Sequence, residues 1–131
     1  MSSSPVSLLP SDAVKGIETS SGLSPLISPL IVTGRSGVRH SFTIGMKDSV
    51  SVVLACDLVV GVTPIDETKV LALFIKVYDV NAKHVVLCAV PSLTSEAKKL
   101  ASQYKMSVFE APQKDEVLTK LSAYLQKLLM E

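Results

Sequence analysis

The chain has 131 residues, which suits one domain with one hydrophobic core and leaves little room for a second. Hydrophobic residues make up 47% of it, and 13 Lys and Arg stand against 12 Asp and Glu. A net charge of +1 gives no global field that would draw nucleic acid or a membrane surface, so any such contact requires a local patch. No apolar run reaches the roughly 18 residues of a membrane span, and no signal peptide is recognisable, which predicts a cytoplasmic protein.

The N-terminal segment differs in composition from the rest of the chain. Residues 1–30 are rich in serine and proline and are expected to be partly flexible, with no fixed structure over residues 1–10. Residues 11–17 carry the cap pattern of a short helix. The tandem Ser-Pro-Leu-Ile sequence at residues 24–31 predicts an extended segment that lays its leucines and isoleucines on the core. Residues 31–131 are predicted to form a single α/β domain.

Regular patterning begins at a glycine-containing turn, residues 34–37. Residues 38–46 then alternate between apolar and polar, which is the period of a strand with one face buried. Residues 50–60 are apolar at almost every position and rich in valine, which predicts a central strand that is covered on both faces.

Helices and strands alternate after residue 60. Thr63 is the predicted N-cap of a helix, with Pro64 in its first turn and Asp66 three residues after the cap, and Asn81 is the predicted stop. Lys76 and Asp79, three apart, could pair on its exposed side. The remaining predicted elements are strand 84–90, helix 92–105, strand 106–110 and helix 115–130.

This order, a β-hairpin followed by α-β-α-β-α, predicts an α/β fold with a mixed central sheet and helices on both faces. Cys56 and Cys88 fall inside apolar runs at a spacing that fits neither a zinc site nor a redox CxxC pair. Two buried free thiols are expected, and a disulfide stays open as an alternative if the two lie on neighbouring strands. No cofactor is predicted.

Three stretches together resemble a known family: the glycine turn leading into a strand (34–44), the strand 51–59, and the strand-helix-strand block 84–110. They are similar to the PD-(D/E)xK, or restriction-endonuclease-like, fold of the Mrr type, and to small uncharacterised archaeal proteins. The resemblance implies a nuclease fold. In such nucleases an acid at the end of one strand and an acid-x-Lys on the next hold a divalent metal.

The sequence departs from that pattern at each expected position. Thr43 stands near the place of the first acid, and the second strand offers Asp57 without a lysine, since none occurs between Lys47 and Lys69. One carboxylate alone is a poor metal site. Asp57 is therefore either a relic metal ligand or a strand-end acid that reaches solvent or caps a backbone group. The predicted domain is catalytically degenerate, with no catalytic residue, no metal and no enzymatic activity.

The turn before the first long strand is the candidate nucleic-acid contact. Glycines let successive backbone N–H groups face an anion, and arginine binds phosphate with two donors. An ordinary turn is the alternative, and for the histidine a structural role is the alternative. The candidate residues are Arg35, Ser36, Gly37, Arg39 and His40.

Two classes of function follow. The first is a non-catalytic nuclease-like module that associates with nucleic acid or with a DNA-processing, transcription or defence complex. The second is a structural or protein-interaction protein, such as a homodimer whose helices or sheet edge bind another protein. A homodimer is expected, and the leucine-rich final helix is the first candidate for its interface, because its apolar stripe is wide enough to serve both core and partner. A residual metal-dependent nuclease is a third hypothesis. No membrane partner and no small-molecule substrate are predicted.

Overall fold

A mixed β-sheet with helices on both faces forms the domain. The computed structural model describes residues 6–7 and 28–129. Its strands are β1 (Val6–Ser7), β2 (Ser28–Thr33), β3 (Arg39–Lys47), β4 (Val52–Val60), β5 (His84–Val90) and β6 (Ser107–Glu110). Its helices are α1 (Glu67–Val80), α2 (Ser95–Gln103) and α3 (Lys114–Leu129).

The sheet has the order β2-β3-β4-β5-β6. Pairing is antiparallel from β2 to β4 and parallel from β4 to β6, because a helix crosses over between each of the last strands. The predicted α/β class, with a hairpin followed by α-β-α-β-α, is confirmed. The apolar run of residues 50–60 predicted a central strand, and β4 does lie in the middle of the sheet.

The N-terminal segment contributes to the sheet. The predicted absence of fixed structure over residues 1–10 is wrong for β1, where Val6 pairs with Val60 and Ser7 with Val59 of β4. The short helix predicted at residues 11–17 lies outside the described residues. Strand β2 begins at Ser28, before the predicted domain boundary at residue 31, and of its apolar residues Leu30 is buried while Ile31 is 59% exposed.

Each face of the sheet carries its own core. Helices α1 and α2 cover one face through Val70, Leu73, Val77, Ala97 and Ala101. On the opposite face α3 packs against β4 and β5 through Val117, Leu118, Leu121 and Leu125. These four residues of the α3 stripe are thus buried in the core of their own chain, while Tyr124 and Leu128 are only partly buried. The homodimer interface on this helix stays a prediction.

Helix α1 starts later than predicted. Asp66 is the N-cap, accepting from the Thr68 N–H at 3.0 Å, and Thr63 is not. The reason is tertiary, because Ile65 is held extended: its N–H donates to Ser92 O (2.8 Å) and its O accepts from Thr94 N (2.9 Å). The predicted stop is confirmed, with Asn81 in the left-handed region at φ 58°.

The two cysteines lie on neighbouring strands, on β4 and β5. Both are free, fully buried thiols with their Sγ atoms 4.0 Å apart. The mutual hydrogen bond and the burial raise the pKa of Cys56 well above its ordinary value. Within residues 6–7 and 28–129, no helix is long and apolar enough to cross a membrane.

Candidate functional site: the divergence of β3 and β4

Strands β3 and β4 separate next to Thr43 and Asp57. Their paired register ends at Ile44 and Cys56. Beyond this pair, side-chain oxygens accept the hydrogen bonds between the two strands in place of backbone carbonyls. The Thr43 N–H donates to Asp57 Oδ1 (3.1 Å), and the Leu58 N–H donates to Thr43 Oγ1 (3.1 Å). The Thr43 side chain can be buried here because its hydroxyl oxygen accepts a hydrogen bond from the backbone of the opposite strand.

A lysine from α1 completes this site. Lys76 Nζ lies 2.6 Å from Asp57 Oδ2 and donates to Ser41 O at 2.7 Å, with the ammonium 4.8 Å from the centre of the Phe42 ring. The Lys76 and Asp57 side chains are only 24% and 19% exposed. The ion pair therefore joins α1 to both diverging strands.

This arrangement corrects two sequence-based expectations. Asp57 does have a lysine partner, 19 residues later in the chain and on a helix rather than on its own strand. Lys76 does not pair with Asp79, although the two are three apart on α1, because their partners lie at different places: Asp57 for Lys76, and His40 with Ser36 for Asp79.

The residues at the divergence do not fit a divalent metal. Such an ion takes several hard oxygen ligands, and both oxygens of Asp57 are already engaged, one by a backbone N–H and one by the lysine. Among the residues that the structure describes, no group of three His, Cys, Asp or Glu side chains could hold a metal ion.

The candidate phosphate-binding turn is held against the C-terminal end of α1. All five backbone N–H groups of residues 34–38 donate to acceptors within the chain. Two of them reach Asp79, from Arg35 N to its backbone O (3.0 Å) and from Ser36 N to its Oδ1 (2.9 Å). No N–H group of the turn remains free to face an anion, so the backbone of the turn cannot contribute to the predicted phosphate contact.

Asp79 is the centre of this contact. Its Oδ2 accepts from the Ser36 hydroxyl at 2.6 Å and lies 2.7 Å from His40 Nε2. The Ser36 hydroxyl first, then His40 and the Ser36 N–H, lower the pKa of Asp79 to about 2. A Cβ on Gly34 would overlap the Asp79 carboxylate, so any larger residue here would displace that carboxylate from its partners.

The two arginines of the turn do not converge on one place. The Arg35 guanidinium donates to Tyr78 O at 2.5 Å and lies 5.1 Å from the centre of the Tyr78 ring, at the end of α1. Side chains alternate along a strand, and His40 faces α1, so Arg39 points to the opposite side of β3. Arg39 is exposed.

Helix α1 also exposes three large apolar side chains. Leu71, Ile75 and Tyr78 recur at the spacing of one helix face and are 39%, 62% and 67% exposed. We call these three residues the α1 stripe. Apolar residues occur almost all round α1, so the sequence pattern alone does not distinguish the buried face of this helix from its exposed face.

Comparisons with known proteins bear on the fold. No protein-family model and no curated protein matches the chain. The crystal structure of AF1548, a protein of unknown function, superposes with a TM-score of 0.58 at 14% sequence identity over 85% of this chain. The chain spans 66% of the length of AF1548. At this identity the likeness concerns the α/β fold alone.

Proposed function

We propose that this chain is a non-catalytic module of restriction-endonuclease-like fold that associates with nucleic acid. The observation that carries the proposal is the Asp57–Lys76 pair. It lies at the divergence of two strands, where the resemblance implies a metal-binding acid followed by a lysine on the same strand. Here Asp57 is instead neutralised by Lys76 of α1, and the pair holds the strands and α1 together, which supports a structural role for this site.

The charge distribution supports a phosphate-binding surface more than the net charge does. Residues 28–129 contain 12 Lys and Arg against 9 Asp and Glu. Five of those nine carboxylates accept from backbone N–H groups of their own chain. The side chains of eight of the 12 cations, Arg39 among them, make no hydrogen bond or ion pair with any described residue, whereas those of Arg35, Lys76, Lys98 and Lys120 do. Free cations of this kind contact phosphates without reading bases.

A cleavage assay tests the non-catalytic part. Plasmid and linear duplex DNA are incubated with the protein and Mg²⁺ or Mn²⁺, beside the Asp57→Ala variant. We expect intact DNA with both proteins, because Asp57 offers no free ligand oxygen. Cleavage by the wild type that the Asp57→Ala change abolishes would make the chain a metal-dependent nuclease.

A second candidate function is protein association through the α1 stripe. Three large apolar side chains on one exposed helix face are typical of an interface, and a second copy of the chain is the simplest partner. Light scattering across micromolar concentrations tests it. We expect a dimer that Ile75→Lys dissociates and that Val50→Lys leaves intact, since Val50 is 88% exposed but lies off the stripe. A monomer at all concentrations would refute it.

A further inference from the structure

A basic cleft lies along the last strand of the sheet, remote from the divergence of β3 and β4. Its volume is about 480 Å³, and α2 and β6 form its walls. It is lined by Lys98, Ser102, Lys105, Met106, Val108 and Glu110. The one carboxylate is already engaged: Glu110 Oε2 accepts from the Leu93 N–H at 2.6 Å, and its Oε1 lies 3.6 Å from Lys98 Nζ. The cleft therefore presents two lysines with their charge only partly balanced.

Lys105 occupies a backbone position at which lysine is unfavourable. Helix α2 ends with the Met106 N–H donating to Ala101 O (3.0 Å), a motif that requires the residue between helix and strand to be left-handed. Lys105 takes this conformation, with φ 60°. Glycine or asparagine adopts it at lower cost. The local conformation does not explain a lysine here, whereas a role for its side chain in the cleft does.

Strand β6 offers a backbone to pair with. It is the last strand of the order β2-β3-β4-β5-β6, and among the described strands only β5 pairs with it. In a strand that is paired on one side, alternate N–H and C=O groups face outward. Even-numbered residues of β6 face the cleft, whereas Phe109 packs against Tyr124 of α3.

We propose that this edge binds an extended acidic peptide segment, which adds to β6 as a further strand and directs acidic side chains toward Lys98 and Lys105. A free strand edge supplies donors and acceptors alternately, as a peptide backbone does. A DNA sugar–phosphate backbone only accepts hydrogen bonds, and it would leave the outward C=O groups of β6 unpaired. The edge therefore matches a peptide better than a nucleic acid, and it is independent of the function proposed above.

The test uses fluorescein-labelled Glu-Val-Glu-Val-Glu-Val-Glu and fluorescence anisotropy at about 50 mM salt. We expect saturable binding that the Lys98→Glu/Lys105→Glu double variant weakens by about tenfold or more, since it reverses two charges at the cleft. Lys99→Glu is the matched control, because Lys99 is exposed on the same helix but does not line the cleft. It should change the affinity by less than about twofold.

Two further measurements separate strand addition from simple charge attraction. Methylating alternate backbone nitrogens of the peptide keeps its charge and removes its donors, so binding should be lost without any change to the protein. Lys105→Gly should weaken binding while raising the melting temperature, a combination that a folding defect cannot produce. The proposal is overturned if the peptide does not bind, if N-methylation has no effect, if Lys99→Glu weakens binding as much as the double variant, or if a single-stranded oligonucleotide competes more strongly than the unlabelled peptide.

Discussion

Replacing Lys76 with methionine tests the structural role assigned to the Asp57–Lys76 pair. The change keeps the length of the side chain and its contact with Phe42 but leaves Asp57 Oδ2 without a partner. Removing one member of a fully buried pair costs about 3–5 kcal/mol. Both side chains are about a fifth exposed, so water reaches the site in part and we expect a loss of about 2 kcal/mol in the free energy of unfolding.

Equilibrium unfolding in urea measures this loss. With a denaturant slope of about 2 kcal/mol/M, the midpoint should fall by about 1 M at unchanged slope. Lys99→Met, an exposed change on α2, is the control and should stay within about 0.5 kcal/mol of the wild type. In a double-mutant cycle with Asp57→Asn, the two losses should fall short of additivity by about 1 kcal/mol. A Lys76→Met variant as stable as the control would refute the claim that the pair holds the divergence together.

Three further outcomes follow from the structure. The folded-state pKa of Asp79 lies below its ordinary value of 3.8. The contribution of this carboxylate to the free energy of unfolding is therefore complete above pH 3.8 and is lost as the pH falls toward 2. Thermal melts should thus show a steeper loss of stability between about pH 4 and pH 2 for the wild type than for Asp79→Asn, and parallel curves would contradict this. In DNA-binding titrations, Arg39→Ala should reduce the salt slope by about 0.9 and Arg35→Ala should leave it nearly unchanged, since Arg35 is engaged by the end of α1; equal effects would put both arginines on the phosphate. The thiols of Cys56 and Cys88 should react with a disulfide reagent only on unfolding, because both are buried and the pKa of Cys56 is raised; fast labelling of the native protein would contradict the burial.

The fold is largely predictable from local patterns, because each element carries its own signal. The continuous apolar run of β4 indicated a central strand, and Asn81 marked the end of α1 through its tolerance of a left-handed backbone. The start of α1 was missed because Ile65 is held by a loop some 28 residues later in the chain, a contact that no local cap pattern encodes.

The candidate site was harder to predict, for a similar reason. Asp57 stood out as an acid in an apolar strand, but its partner Lys76 is one of four charged residues on α1. Their meeting depends on where β3 leaves β4 and on how α1 crosses the sheet. The turn at residues 34–38 looked open in sequence, and only the position of Asp79 shows that its N–H groups are already used. Tertiary contacts of this kind leave no periodic trace in the sequence.

The salt dependence of DNA binding tests whether this chain is a nuclease-like module that binds nucleic acid without cleaving it. A 5′-labelled duplex is titrated with the protein in Mg²⁺ at several salt concentrations, and the recovered DNA is then run on a denaturing gel. We expect weak, sequence-independent binding, with a log–log slope of about −2 or steeper from at least two phosphate contacts, and intact DNA throughout. No binding near 50 mM salt, or a slope near zero, would contradict it.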